Sequence, residues 1–469
     1  MTDNTVYPRF YQLFYALSKH ERRRFLQFLA SPYHNRRPDI IELATLLCNY
    51  EEANEVPVKT ILWKDIYPKK VFTNPSWRLL LSALSQQVER FIAIESILDD
   101  EFELKIKVAE VLEERLSTGL HDRLLRETHR ILEKQEVRNA EYWLREYRYQ
   151  EAYYRRALTR QPEKDDHFGA LSHSADRAFL AMKFRQNMWL LNHEQVYKWG
   201  FEATAIDSYI TDLAEEQLED IPALRLYYYG IQVLREPENE LVFRKFSSSL
   251  FTQANHLPES EARDLYLLAI NFGVRQVNSG QRAYFRQVMG LYQSGLEQGY
   301  LLRKGVLSRF TYHNIVTTAL QIQDVDYAKT FIEQWTGKLE RRYRERMYNF
   351  NRAKIAYTSR HYDDALPLLQ QANYHDPLLN LGARTLLLKI YYELGEWEVL
   401  HSHLDAFSSY LRRKPGISYH RTNYRNLIRY TRRLLKIAPS NEVEKEKLRQ
   451  QIKDATTLTE KSWLLARLS

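Results

Sequence analysis

Apolar residues along this chain recur at intervals of three and four, the period of a helix with one buried face. Tyr11, Leu13, Phe14 and Leu17 keep that spacing near the start. Ser18-Lys19-His20-Glu21 then has the form of a capping box, in which the hydroxyl accepts an orphan N–H and the carboxylate reaches back. It opens a helix with Phe25, Phe28 and Leu29 inward, and Ser31-Pro32-Tyr33-His34-Asn35 breaks it. A third helix is predicted from Pro38 to about Tyr50. After a proline-bearing loop, a long helix carries Leu79, Leu80, Leu84, Val88 and Phe91. Further on, Val108, Val111, Leu112 and Leu116 form one stripe. Leu124, Leu125, Ile131 and Leu132 continue it past Gly119, and Trp143, Tyr147, Ala152, Tyr153 and Ala157 mark another helix. Gln161-Pro162-Glu163-Lys164-Asp165-Asp166 reads as a linker.

From about residue 220 the pattern repeats. Tyr362-Asp363-Asp364-Ala365 precedes Leu369, Ala372 and Pro377, a small–bulky–small–proline spacing in the second helix of a hairpin. Ala353 fits the first helix of the same unit. Leu387, Tyr391, Gly395, Trp397 and Leu404 fit the next, and Ile315, Val316, Ala319, Ala328, Ile332 and Trp335 the one before. The anchors Ala328, Ala365 and Leu400 lie 37 and 35 residues apart. Gly273, Gly280, Phe285 and Met289 hint at an earlier, less regular unit. Over about 220–410 the chain resembles the tetratricopeptide repeat family, whose period is about 34 residues. That resemblance implies stacked helical hairpins whose first helices line a concave binding face. On the matching units the family's groove positions are His313, Asn314 and Thr317, then Phe350, Asn351, Lys354 and Tyr357, then Thr385, Lys389 and Tyr392. Separately, Leu17-Ser18-Lys19-His20-Glu21, Phe28 to Asn35, and Ile66-Tyr67-Pro68-Lys69-Lys70 through Ser82 resemble the opening of an uncharacterised bacterial family. No activity is implied by that likeness.

Composition agrees with helices. Gly and Pro number 14 each in 469 residues, about half of ordinary usage, so turns are few. The single cysteine, Cys48, excludes a disulfide framework and a cysteine-based zinc site. The N-terminus lacks the basic and apolar regions of a signal peptide, and no run of 18 apolar residues occurs. A cytoplasmic protein without a membrane partner is the expectation. The expected fold is all-α. It comprises a helical N-terminal domain over 1–100, long hairpins over 101–200, a repeat array over 201–441 and capping helices over 442–469.

Motifs for catalysis are missing. No Gly-x-Gly-x-x-Gly, Gly-x-Ser-x-Gly or His-Glu-x-x-His occurs. Gly337-Lys338 has Leu339 where a phosphate loop needs Ser or Thr. His401 and His403 would point about 200° apart on a helix, and the pairs Asp99-Asp100 and Asp363-Asp364 fall at helix ends, where carboxylates cap. No enzyme, cofactor or metal is expected.

Charge is the sharper feature. The chain is +8 overall, yet residues 406–441 alone carry +9 and contain no Asp or Glu. Within them Arg421, Arg425, Arg429, Arg432 and Lys436 recur at helical spacing, five cations on a face about 22 Å long. Like charges at that spacing repel. Acidic side chains of neighbouring helices in the same chain, such as the run from Glu442 to Glu446, plain solvation, or an external anion would answer them. The reading is a non-enzymatic scaffold that binds a protein or peptide, preferably acidic, in the groove of the array. Nucleic-acid binding through the Arg helix, with aromatic neighbours such as Tyr424 and Tyr430, is the alternative.

Overall fold

The computed structural model describes residues 9–52, 58–113, 115, 118–158, 167–198, 200, 218, 221–370, 376–414, 418–438 and 440–468. Among them it is all-α, with 22 α-helices and one short hairpin of two-residue strands. The linker expected at 161–166 lies outside the described residues, as do Leu116 and Ala372.

The chain divides into two compact units, one of residues 1–136 with 141–179, the other of 137–140 with 180–469. The main division thus falls inside a long helix, not near residues 100 or 200.

In the first unit run α1 (Arg9–Ala16), α2 (Lys19–Ala30), α3 (Pro38–Glu52), α4 (Lys59–Ile66), α5 (Asn74–Leu98), α6 (Glu101–Leu112), α7 (Thr118–Glu133), α8 (Ala140–Leu158) and the start of α9 (His167–Tyr197). The Ser18 hydroxyl accepts the Glu21 N–H, and the Glu21 carboxylate accepts the Ser18 N–H, so the capping box forms. Phe14, Phe25, Leu43, Leu62, Leu84 and Phe91 share one core. Two expectations fail there for the same geometric reason. α5 buries Leu80, Leu84, Val88 and Phe91, which leaves Leu79 a hundred degrees off the core face and 72% exposed. α6 buries Phe102, Ile106 and Ala109, so Val111 faces out.

The second unit continues with α10 (Pro222–Arg235), α11 (Glu240–Gln253), α12 (Glu259–Asn278), α13 (Tyr284–Glu297), β1 (Leu302–Arg303) and β2 (Val306–Leu307). It goes on with α14 (Arg309–Gln321), α15 (Val325–Trp335), α16 (Arg344–Thr358), α17 (Tyr362–Gln370), α18 (Pro377–Leu394) and α19 (Trp397–Arg413). It ends with α20 (Ser418–Leu434), α21 (Glu442–Asp454) and α22 (Lys461–Ala466). From α10 to α19 consecutive helices pack as pairs, and each pair meets the next.

One turn recurs between the helices of successive pairs. Gln323, Arg360 and Gly395 all take left-handed backbone angles, with φ of 64°, 62° and 73°. The N–H that follows each reaches back five residues: Asp324 to Ala319 O, His361 to Ala356 O, Glu396 to Tyr391 O, at 2.9, 2.9 and 3.0 Å. This is the six-to-one bond of a Schellman cap, which satisfies an orphan helix carbonyl. Gly280 repeats it earlier, with Gln281 bonded to Gln276 O. Five residues after each of the three later turns stand Ala328, Ala365 and Leu400, all at 0% exposure. The turn fixes the angle of the hairpin, and the buried anchor sets its closest approach. Gly382 shows how tight neighbouring units are: a Cβ there would stand 2.8 Å from Phe350 Cζ, so α16 and α18 touch through a missing side chain.

Candidate functional site

The first helices of three successive pairs, α14, α16 and α18, carry the groove residues expected from the sequence. On α14, burial of the amide side chain of Asn351 decides the state of His313. Asn351 is fully buried and its amide nitrogen donates to Met347 O at 2.8 Å. Its oxygen is therefore the acceptor, and His313 Nδ1–H donates to it at 2.9 Å. That fixes the neutral tautomer with Nε2 bare. Burial, helped by the nearby charge of Lys354, lowers the imidazole to about 3.

Lys354, one turn on from Asn351, is half-buried and donates to Thr317 Oγ1 at 2.7 Å. No carboxylate lies within salt-bridge reach of it among the described residues. Burial lowers its pKa to about 8; Glu460 opposes that shift and Lys389 adds to it. His313, Thr317, Asn351 and Lys354 thus form one polar chain between α14 and α16. It has the outline of a hydroxyl, an imidazole and an orienting amide. The hydroxyl, however, gives its proton to the His313 carbonyl at 2.9 Å and stands 3.5 Å from Nε2. A committed hydroxyl beside an imidazole this weakly basic does not make an activated nucleophile.

The next helix brings Lys389, whose ammonium lies 4.9 Å from the Tyr357 ring centre and 2.9 Å from Glu460 Oε2. Glu460 arrives from the segment before α22 in a left-handed conformation, φ 57°, which costs a non-glycine residue free energy. Trp463 follows. Its indole N–H donates to Glu393 Oε1 at 3.1 Å and its ring stands edge-on to Tyr392. Arg467 pairs with the other oxygen of Glu393 at 3.1 Å. Lys389, Tyr392 and Tyr357 therefore face the chain's own C-terminal segment. Glu393, Glu460, Trp463 and Arg467 complete the site without any sequence signal that singles them out.

The remaining groove residues have packing duties. Phe350 is 5% exposed, between the His313 ring and Gly382. The Thr385 hydroxyl bonds Leu381 O. Asn314 is exposed.

The basic helix forms as α20, with Leu427, Ile428, Tyr430, Thr431 and Leu434 inward. Its cations divide. Arg421 donates to Lys414 O at 3.0 Å, and Arg432 pairs with Asp405 of α19. Arg425, Arg429 and Lys436 are exposed with no carboxylate in salt-bridge reach among the described residues. The acidic run does not meet them: Glu442, Glu444 and Glu446 pair along α21 with Lys445, Lys447 and Arg449. Tyr430 is 5% exposed and Tyr424 half-buried, so the aromatic neighbours of these cations are packed inward.

His403 binds Arg384 O at 2.8 Å while His401 is exposed, and Asp100 caps α6 through the Glu103 N–H. Among the described residues no group of three His, Cys, Asp or Glu gathers as a metal cage, and no helix is long and apolar enough to cross a membrane. No family model, no curated protein and no solved structure matches this chain.

Proposed function

We propose that this chain is a cytoplasmic, non-enzymatic interaction scaffold whose tetratricopeptide-like array, residues 220–410, binds an acidic segment of a partner protein or peptide. The observation that carries the reading is the pair Lys354 and Lys389. One is a half-buried ammonium with a hydroxyl for a partner, and the other is held by a carboxylate, that of Glu460. A half-buried cation with no carboxylate in contact favours an incoming carboxylate, because a lowered local dielectric strengthens the pair. The recurrent turns at Gln323, Arg360 and Gly395 support the stacking of hairpins that the reading needs. The exposed cations Arg425, Arg429 and Lys436 would speed encounter with an acidic partner without deciding its fit.

Fluorescence polarisation with labelled Glu-rich twelve-residue peptides, against Gln-substituted isomers, tests it. Binding should favour the acidic peptides and fall at least tenfold in the Lys354→Glu, Lys389→Glu double variant. The gentler Lys354→Gln variant guards against misfolding. Equal binding of Gln isomers, or binding indifferent to both variants, rejects the reading.

One observation favours a second reading: Arg425, Arg429 and Lys436, exposed on α20 with no carboxylate in salt-bridge reach among the described residues, suit phosphates as well as carboxylates. Nucleic-acid binding predicts affinity for single- or double-stranded oligonucleotides that drops steeply with salt and disappears on Arg425→Glu with Arg429→Glu. Tyr430 is turned away from solvent, so base stacking beside those cations has no platform there.

A further inference from the structure

The first unit carries a surface of its own, apart from the array. Beside α5 lies a groove of about 580 Å³, lined among others by Trp63, Tyr67, Val71, Leu79, Ser82 and Ala83. One wall is α5 itself. Leu79, Ser82, Ala83 and Gln86 fall at i, i+3, i+4 and i+7, so they share one stripe about 10 Å long. The other wall is the end of α4 and the turn that follows. The Trp63 indole N–H donates to Lys70 O at 3.1 Å, its ring packs 4.5 Å from that of Tyr67, and the Lys70 N–H donates to Tyr67 O at 3.0 Å. The Tyr67 hydroxyl donates to Asp39. This wall is built before anything binds, which lowers the ordering cost of binding.

Two large apolar side chains of this lining stand in solvent: Val71 is 87% exposed and Leu79 72%. Scattered singly they would need no explanation, but both line one groove with Trp63 and Leu80. Charge around it is one-sided. Residues 59–88 hold five cations, Lys59, Lys64, Lys69, Lys70 and Arg78, against one carboxylate, Asp65, whereas the whole chain has 68 against 60. Lys69, Lys70 and Arg78 are exposed with no carboxylate in salt-bridge reach among the described residues. The Lys70 ammonium lies 4.4 Å from the centre of the Tyr67 ring, which steadies it at the groove. Arg37 also lines the groove, but Asp39 holds it at 2.7 Å, so that pair adds no net charge.

We propose that this groove docks an amphipathic helix of a partner protein, its apolar face against Val71, Leu79 and Trp63 and its flanking carboxylates toward Lys69, Lys70 and Arg78. The small side chains of Ser82 and Ala83 let a helix backbone come close, and the stripe is as long as about two helical turns. The cationic rim selects an acidic helix, since like charges across an interface are unfavourable. This surface reads its partner through exposed apolar side chains rimmed by cations, whereas the array offers a half-buried ammonium, so the two do not rest on one another.

Fluorescence anisotropy of the full-length protein with a labelled, helix-forming eighteen-residue peptide tests this. The peptide carries Leu at i, i+4 and i+7 and Glu at the flanking positions; one control scrambles the Leu positions and another replaces Glu by Gln. Saturable binding is expected, at least tenfold tighter than that of the scrambled peptide and severalfold tighter than that of the Gln form. Leu79→Glu, at a position already in solvent, should weaken it at least tenfold, and Lys70→Glu severalfold. Lys338→Glu, the same charge change at an exposed position of the second unit, should leave it unchanged. No saturable binding, equal binding of the scrambled peptide, indifference to Leu79→Glu, or a loss matched by Lys338→Glu overturns the proposal. So does self-association of the chain, or co-sedimentation with phosphatidylserine vesicles, that Leu79→Glu abolishes, because the face would then belong to a second copy or to a membrane. The array reading is decided separately, by the variants at Lys354 and Lys389.

Discussion

Lys354 on α16 and Arg425 on α20 carry the same charge, and the protein treats them differently. Lys354 is walled in, shares a hydroxyl with a neutral histidine, and has its pKa pushed down to about 8. Arg425 stands in solvent beside two other cations and has no partner at all among the described residues. Water screens the second arrangement at little cost. It does so less for the first, which is half-buried, so a missing partner there costs more. On the proposed acidic-partner reading, selectivity would reside on α14, α16 and α18, and the α20 cations would govern the rate and salt dependence of encounter.

The largest contrast should come from acid. The unfolded chain protonates His313 below about 6.5, the folded chain only below about 3. The unfolded state therefore holds the extra proton between those values, and stability falls as pH drops through that window. Each unit of difference corresponds to about 1.4 kcal/mol before solvent screening is allowed for. Lys354 acts with the same sign higher up. Its folded pKa of about 8 lies below the ordinary 10.5, so stability is regained as pH rises between them. Urea unfolding of wild type and His313→Gln from pH 7 to pH 4 checks this. Wild type should lose more stability than the variant, and parallel curves would break the contrast with α20, whose arginines do not titrate there.

Next in size is Asn351→Leu. It strands His313 Nδ1–H in a buried setting, and a lost buried partner costs about 1–3 kcal/mol. Arg425→Ala should stay within about 0.5 kcal/mol of wild type. Unfolding midpoints compared at pH 7 read both. Equal effects would mean that the polar chain between α14 and α16 is solvated after all.

Glu460→Gln comes third. It removes the carboxylate at 2.9 Å from Lys389 and keeps the strained backbone. Lys389 is 14% exposed and Glu460 34%, so the loss should be about 1 kcal/mol, nearer a surface pair than a buried one. If the acidic-partner reading holds, the same change should raise affinity for Glu-rich peptides, since Lys389 is then free to meet them.

These sites also show what a sequence does and does not encode. The three anchors were legible because they are local: Ala328, Ala365 and Leu400 recur at near-constant intervals, and each is buried beside the same turn. The cations were legible because five of them keep one helical period. What met them was not. Asp405 reaches Arg432 from the preceding helix, while the acidic run of α21, nearer in composition, satisfies itself. Glu460 reaches Lys389 across 71 residues. Periodicity reports which face of a helix is buried and is silent about which distant residue is brought to it. Leu79 is a milder case: it lies outside the arc of α5 that buries Leu80, Leu81 and Leu84, and the pattern alone gave Leu79 and Leu80 equal standing.

The smallest effect should be at Arg432, and its size tests whether α20 needs the Asp405 carboxylate. Arg432 and Asp405 are 40% and 78% exposed on their side chains, so the pair is screened and costs side-chain freedom to form. Such pairs contribute about 0–1 kcal/mol. Arg432 also sits among like charges, and Asp405 relieves part of their repulsion. A double-mutant cycle with Arg432→Gln and Asp405→Asn, run at low and at 1 M salt, separates these terms. A coupling of about 0.5 kcal/mol that vanishes at high salt describes an open cationic face waiting for solvent or a partner. A coupling that survives 1 M salt would place Arg432 in a shielded setting like that of Lys354, and the distinction between the two regions would no longer hold.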